Sequence, residues 1–183
     1  AEHGVRLGRV ALPGRNRNAG QTAEGWQLAT LKAFQQAVLE GAPAAEQVSV
    51  VREGLPEGVS VDRIEWLTQR RVAVFINSPS MPDKPIQVQI LLARDWWAKP
   101  KAKFPQLTML DGLRAQDDQS GWIINTNAVD FYKDKNVNVI LPIGGESSFY
   151  TDWKEPDKGK NYKWETFLIH ELPPIIEGQW RST

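Results

Sequence analysis

Two loop segments follow short apolar runs and hold the residues that could do chemistry. Residues 107–110 end at Asp111-Gly112, and residues 137–141 lead into Pro142-Ile143-Gly144-Gly145. The N–H groups of such a glycine pair can bind an oxyanion, but two glycines do not identify a site by themselves. Ser147-Ser148 follows, and no candidate base lies near these hydroxyls in the sequence. A site would therefore be sought in these two loops.

Several familiar catalytic patterns are absent from the sequence. The only histidines are His3 and His170, and there is no cysteine, which argues against a metal-hydrolase centre. No G-x-S-x-G elbow, S-x-x-K pair or phosphate-binding glycine loop occurs. Asp117-Asp118 is an acidic pair whose side chains face apart, so a solvated loop or a cap is favoured over acid–base catalysis. His170 falls in a predicted helix, where a surface or packing role is favoured over catalysis.

The composition excludes some partners. The 183 residues carry 22 basic and 22 acidic side chains, without the basic excess of a nucleic-acid-binding protein. No apolar run approaches the roughly 18 residues of a transmembrane helix. No signal-peptide pattern begins at Ala1, as expected of a mature form whose leader was removed or of a cytosolic protein. The eight tryptophans favour core packing over the lining of a ligand cleft.

Strand patterns dominate the middle of the chain. Residues 63–77 are rich in Val, Ile, Trp and Phe and predict one or two strands. Residues 85–93 alternate apolar and polar side chains, and with the preceding stretch they predict an antiparallel hairpin. The runs at 107–110 and 137–141, with a helix over about 125–133 between them, predict a βαβ unit with parallel strands.

Helical patterns flank this region. Residues 23–40 carry apolar side chains at helical spacing, and 48–51 could form a short strand. Residues 163–172 predict a helix that Pro173-Pro174 interrupts. Together these elements predict an α/β fold with half of an open sheet, whose last strand would leave a bare hydrophobic edge. We divide the chain into an extension at 1–60 with one helix and a sheet domain at 61–183.

Several longer motifs are specific to one family. They are Ser78-Pro79-Ser80-Met81, Leu110 to Asp118 (LDGLRAQDD), Gly121-Trp122 with Ile124-Asn125-Thr126, Leu141 to Trp153 (LPIGGESSFYTDW), Tyr162 to Leu168 (YKWETFL) and Glu171-Leu172-Pro173. In this order they resemble the mycolyltransferases of the antigen 85 group. The resemblance covers about residues 64–174, and nothing in 1–60 belongs to it.

The resemblance implies an α/β-hydrolase fold, of which this chain holds the N-terminal half of the sheet. It implies a secreted protein of the cell envelope that moves a mycolyl chain from trehalose monomycolate to a trehalose lipid or arabinogalactan, without a cofactor or metal. The backbone N–H of Leu113 would contribute to the oxyanion hole, and Asp111 and Arg114 would bind the sugar or orient the acyl-enzyme. The alternative is that Asp111-Gly112 is only a turn and that Arg114 pairs with Asp117 or Asp118.

Five aromatic residues match the family pattern and are interpreted mainly as scaffold. They are Trp122, Phe149, Tyr150, Trp153 and Trp164.

The sequence also departs from the family. The family's nucleophile, acid and histidine follow the position of Thr183, so His170 inherits no catalytic role. Glu146 replaces the usual glutamine, Ile123 replaces a polar residue, and residues 155–161 form a short charged loop without cysteine. We therefore predict an enzyme that is inactive until a separate C-terminal chain completes it. The alternatives are a non-catalytic relative that binds glycolipid, and an interaction role for residues 1–60.

Overall fold

The central sheet begins with a hairpin of β-branched and aromatic side chains. The computed structural model describes residues 54–183, so the helix predicted at 23–40 and the strand at 48–51 lie outside the described residues. Strand β1 is Ser60–Thr68 and β2 is Arg71–Asn77, paired antiparallel. The stretch predicted as one or two strands is thus two.

The predicted hairpin and βαβ unit are both confirmed. Strand β3, Ile86–Leu91, pairs antiparallel with β2, and β4, Gln106–Thr108, pairs parallel with β5, Asn138–Pro142. The helix predicted between them was wrong in extent, because two short helices form instead: α1, Gly121–Asn125, and α2, Ala128–Tyr132. Thr126 separates them, since its extended backbone (φ −136°, ψ 172°) ends the first helix.

The strand order is β1-β2-β3-β5-β4, which corrects the prediction of a bare last strand. Strand β5 lies between β3 and β4, and all five of its residues are buried. On that side of the sheet the edge strand is the three-residue β4, and the chain just before it is paired as well. Phe104 donates its N–H to Arg181 O (2.8 Å) and accepts from the N–H of Thr183 (2.9 Å).

The C-terminal helical segment is continuous through the proline pair, so the predicted interruption was wrong. Helix α3, Trp164–Thr166, passes into a π-helical turn, Phe167–Glu171, and then into α4, Leu172–Gly178. Pro173 and Pro174 occupy the first turn of α4, where a missing N–H removes little intrahelical bonding.

Apolar side chains cover both faces of the sheet, which confirms the α/β class. On one face Ile76, Val88 and Ile90 pack with Phe167 and Ile175 of the C-terminal helical segment. A smaller cluster on the other face is built on Leu91, Val139 and Leu141, with Trp122 and Tyr132 of α1 and α2 packed against it. Among residues 54–183 no helix is long and apolar enough to span a bilayer.

Candidate functional site

Two loops meet at the carboxyl ends of the parallel strands β4 and β5. Residues 109–118 follow β4, and residues 143–150 follow β5. Ligand sites of open α/β sheets lie at this edge of the sheet, outside the carboxyl ends of the strands. The structure brings together both loops singled out in the sequence, and they form the candidate site.

Tyr150 joins the two loops through its hydroxyl. The N–H of Asp111 donates to Tyr150 Oη at 3.0 Å, and the same oxygen lies 3.2 Å from the carbonyls of Asp111 and Gly144. Burial, with a further contribution from the charge of Asp111, raises the pKa of Tyr150. The phenol therefore stays protonated at neutral pH and can donate to one of these carbonyls while accepting from Asp111.

Helix α1 holds the side chain of Asp111 and the carbonyl of the preceding residue, Leu110. Its Oδ2 accepts a hydrogen bond from the N–H of Gly121 (3.1 Å), the first residue of α1. The indole N–H of Trp122 donates to Leu110 O (2.8 Å), so α1 holds both the Asp111 carboxylate and the carbonyl that precedes it. Asp111-Gly112 is therefore more than a turn, because the Asp111 carboxylate also accepts a hydrogen bond from α1. The sugar-binding role predicted for Asp111 remains a prediction.

Leu113 presents its backbone at the surface. The peptide unit that carries its N–H is fixed because the carbonyl of Gly112 accepts the N–H of Ala115 at 3.0 Å. The carbonyl of Leu113 itself accepts the N–H of Ser147 at 3.1 Å. Within residues 54–183 its own N–H has no hydrogen-bond acceptor, and its side chain is 64% exposed. A fixed peptide with a free N–H is what an oxyanion-hole donor requires.

Arg114 is exposed beside this peptide and forms no ion pair in the described part of the chain. The alternative pairing with Asp117 is not found, because Asp117 binds Lys84 (2.8 Å) and lies 3.8 Å from Lys160. The hydrogen bond from Lys84 lowers the pKa of Asp117. Asp117 therefore lies on an exposed loop, as predicted, where it is the partner of lysine side chains.

A polar cavity of about 210 Å³ lies between the Asp111 loop and α1. Asp111, Arg114 and Asn125 supply its charged and amide groups, and Ile124 its apolar wall. The guanidinium and carboxylate can hydrogen-bond neighbouring hydroxyls of a sugar. The two side chains predicted to bind sugar thus line one cavity.

The loop after β5 has a strained backbone. Ser147, Phe149 and Tyr150 have φ of 57°, 56° and 53°, the left-handed region that non-glycine residues rarely adopt. Such residues cost on the order of 1 kcal/mol or more each and cluster at functional sites. Ser148 supports the bend, since its buried Oγ donates to Gly145 O and accepts from the N–H of Tyr150.

Gly144 and Gly145 lie so close to aromatic rings that a side chain at either position would crowd them. A Cβ on Gly145 would lie 2.8 Å from the Tyr150 ring, and one on Gly144 would lie 3.3 Å from Trp164. Both glycines also have positive φ, 109° and 82°. They allow the loop to pass between two aromatic rings, a packing role that was not predicted from the sequence.

Two aromatic residues differ from their interpretation as scaffold. Phe149 is 80% exposed, so that interpretation was wrong for it, because the left-handed backbone turns the side chain away from the core. Tyr150 packs on Trp164, as expected, but its hydroxyl also holds the Asp111 peptide. No local sequence signal could have identified this bond, since its partners are 39 residues apart.

His170 and the acidic residues add no metal centre. His170 is exposed in the π-helical turn, away from the two loops in sequence. Over residues 54–183, no group of three or more histidine, aspartate or glutamate side chains is arranged to hold a metal ion.

Comparison with known protein families supports the fold. A family model described as "Putative esterase" matches residues 78–183, more than half of the chain. With the mixed sheet, this match confirms the α/β-hydrolase fold expected from the sequence motifs.

Curated relatives include two acyltransferases. The chain is 43% identical over 141 residues to the diacylglycerol acyltransferase/mycolyltransferase Ag85A of Mycobacterium leprae, covering 75% of this chain and 36% of that protein. It is 56% identical over 115 residues to the corresponding Ag85B of Mycobacterium avium, covering 57% of this chain and 35% of that protein. The chain thus spans about a third of the length of these relatives.

A similar solved structure is MPT51 of Mycobacterium tuberculosis. It has a TM-score of 0.49 and 28% sequence identity, covering 60% of this chain and 36% of that one.

Proposed function

Because this chain belongs to the esterase family and is homologous to the mycolyltransferases of the antigen 85 group, we propose that it forms the oxyanion-hole and sugar-binding part of a mycolyltransferase site. The reaction moves a mycolyl chain from trehalose monomycolate to a trehalose lipid or arabinogalactan. The completed protein acts at the cell envelope after secretion.

The observation that carries this proposal is the peptide of Leu113. Attack of a nucleophile on the mycolyl ester puts negative charge on the carbonyl oxygen, and a preorganised N–H stabilises that charge. The Leu113 N–H is free within residues 54–183. The Gly112 carbonyl of the same peptide unit accepts the N–H of Ala115, and the Leu113 carbonyl accepts the N–H of Ser147. The bond from Asp111 to Tyr150 fixes the same loop two residues earlier.

Asp111 and Arg114 position the sugar in this proposal. Both line the polar cavity next to Leu113. Arg114 has a free guanidinium in the described range and can donate to two hydroxyl oxygens of trehalose, while Asp111 can accept from a third hydroxyl with the oxygen that does not bind Gly121. Trehalose then sits beside the oxyanion donor, with its ester-bearing carbon toward Leu113.

The nucleophile, acid and histidine come from a C-terminal part in this proposal, since the 183 residues contain no G-x-S-x-G motif. That part attacks the ester, releases trehalose and passes the acyl group to the acceptor. No cofactor is needed, because a serine nucleophile and an oxyanion hole suffice for ester transfer.

Titration of the ¹⁵N-labelled chain with trehalose tests the sugar-binding half without requiring turnover. We expect the amide signals of the 111–114 loop to shift, and we expect Arg114→Ala to weaken binding about tenfold or more. Maltose, which joins its two glucose units differently, is the matched control ligand. Unchanged loop signals in the folded chain, or equal binding by Arg114→Ala, would contradict the assignment of this cavity.

A further inference from the structure

A second cavity, of about 150 Å³, lies beside β3 and β5 and shares no lining residue with the polar cavity at Asp111. Its inner wall is apolar. Met81, Ile86, Ile143 and Trp164 line it, and each side chain belongs to the buried core. We call this space the flank cavity.

Charged side chains from three separate segments meet at the mouth of the flank cavity. Lys84 lies in the β2–β3 loop, Asp117 in the loop after β4, and Lys160 just before α3. Lys84 Nζ lies 2.8 Å from Asp117 Oδ2, and Lys160 Nζ lies 3.8 Å from the same oxygen. A single carboxylate oxygen is therefore placed between two ammonium groups above an apolar space.

The charges at this mouth can exchange partners at small cost. The side chains of Lys84, Asp117 and Lys160 are all more than 40% exposed, and ion pairs at such positions contribute little to stability. At 3.8 Å from Asp117, the ammonium group of Lys160 has no close hydrogen-bond acceptor among the residues that the structure describes. Asp83 also lines the cavity, so the two lysines are balanced by two aspartates and the cavity has no net positive charge that could select an anion. The selecting feature is the position of the two ammonium groups.

We propose that the flank cavity binds a medium-chain alkyl carboxylate. The alkyl chain enters the apolar space against Ile143 and Trp164, and its carboxylate replaces that of Asp117 between Lys84 and Lys160. Removing the alkyl chain from water drives binding, and the two lysines favour an anionic head over a neutral one. The inference does not depend on the proposed acyl transfer, because none of these residues takes part in it.

Calorimetric titration of the full chain with octanoate, octanol and acetate tests the proposal. We expect octanoate to bind more tightly than octanol, and acetate not to bind measurably. Lys84→Ala/Lys160→Ala should weaken octanoate binding about tenfold and leave octanol binding unchanged. Lys101→Ala/Lys103→Ala, which removes two exposed lysines outside the cavity, is the matched control and should bind octanoate as the unmodified chain does.

A second variant tests the location of the alkyl chain. Ile143→Trp should fill the flank cavity and abolish binding of octanoate and octanol, with circular dichroism confirming the fold. If this variant does not fold, the lysine pair still decides the outcome. Equal affinity for octanoate and octanol, no effect of the double lysine change, or no binding of octanoate would each overturn the proposal. Trehalose titration remains unaffected in all three cases, which separates this failure from failure of the proposed function.

Discussion

The backbone N–H of Asp111 donates a hydrogen bond to the hydroxyl of Tyr150 at 3.0 Å. This bond links the loop after β4 to the loop after β5, and Leu113 lies two residues beyond it. The position of the proposed oxyanion donor therefore depends on a side chain that the chemistry itself does not use. Tyr150 is a positioning residue in this account.

Tyr150→Phe should remove the hydroxyl and leave the ring packed on Trp164. In a completed enzyme we expect kcat to fall roughly 10- to 100-fold, because a misplaced oxyanion donor stabilises the transition state less. The KM for the sugar should change much less, since Arg114 is untouched. Steady-state kinetics measure both quantities.

Tyr132→Phe is the matched control for this change, because the Tyr132 hydroxyl has no hydrogen bond within residues 54–183. It should leave kcat unchanged. An unaltered kcat in Tyr150→Phe, or equal losses in both variants, would show that the hydroxyl does not position the oxyanion loop.

Gly145→Ala should destabilise the fold more than Gly159→Ala. Both glycines have similar left-handed φ, 82° and 79°, so the backbone penalty of about 1 kcal/mol is shared. Only the Cβ at position 145 would lie 2.8 Å from the Tyr150 ring, whereas none of the described atoms lies within 4 Å at position 159. We expect an additional loss of about 1–3 kcal/mol at position 145. Urea unfolding measures the difference, and equal losses would rule out the tight packing of the loop on Tyr150.

More of the fold than of the candidate site could be predicted from the sequence. Alternating apolar residues at 85–93 and the short runs near 107 and 138 gave the hairpin and the parallel pair, because strand pairing follows the pattern of buried side chains. The position of β5 inside the sheet could not be predicted from local sequence, because it depends on the antiparallel pairing of β5 with the distant strand β3.

In the candidate site, too, local motifs were recognised in the sequence, whereas contacts between distant residues were not. Asp111, Leu113 and Arg114 were predicted as site residues from a contiguous motif, and their roles remain predictions. The roles of Tyr150 and Ser147 depend on contacts across 39 and 34 residues, and no local pattern encodes such contacts. The path of the helical segment through Pro173 was missed because the π-helical turn that precedes it has no sequence signature.

Arg114→Ala should raise the KM for trehalose monomycolate about tenfold in a completed enzyme, because a charged donor to the sugar hydroxyls is lost. The fold should be unaffected, since Arg114 is exposed and forms no ion pair in the described residues. Arg114→Lys should recover part of the loss, as it restores the charge without the two-pronged geometry. Kinetics with varied trehalose monomycolate measure the effect, with Lys101→Ala as an exposed control. A KM unchanged in Arg114→Ala would place the sugar elsewhere.

Asp95 should contribute stability that disappears in acid. Hydrogen bonds from Arg94, Lys99 and Asn136 hold the pKa of Asp95 well below its usual range. Because the folded pKa is depressed, the contribution is complete above the unfolded pKa of about 3.9 and is lost as the pH falls through the folded value. The stability difference between the unmodified chain and Asp95→Asn should therefore be largest near pH 6 and shrink below about pH 4.

Urea midpoints measured between pH 6 and pH 2.5 test this dependence. Asp118→Asn is the control, since Asp118 forms no ion pair with any described residue. A difference between the unmodified chain and Asp95→Asn that stays constant with pH would contradict the pairing of Asp95.

Acyl transfer from trehalose monomycolate tests the central claim most directly. It should be measured with the 183-residue chain alone and with a single polypeptide that continues from Thr183 into the C-terminal remainder of the M. leprae Ag85A relative. A fluorophosphonate probe that labels activated serines confirms that the added nucleophile is competent, and its serine-to-alanine variant is the control. We predict no transfer by the chain alone and transfer by the completed protein. Turnover by the chain alone, or a labelled but inactive completed protein, would contradict the assignment of the oxyanion and sugar sites to this chain.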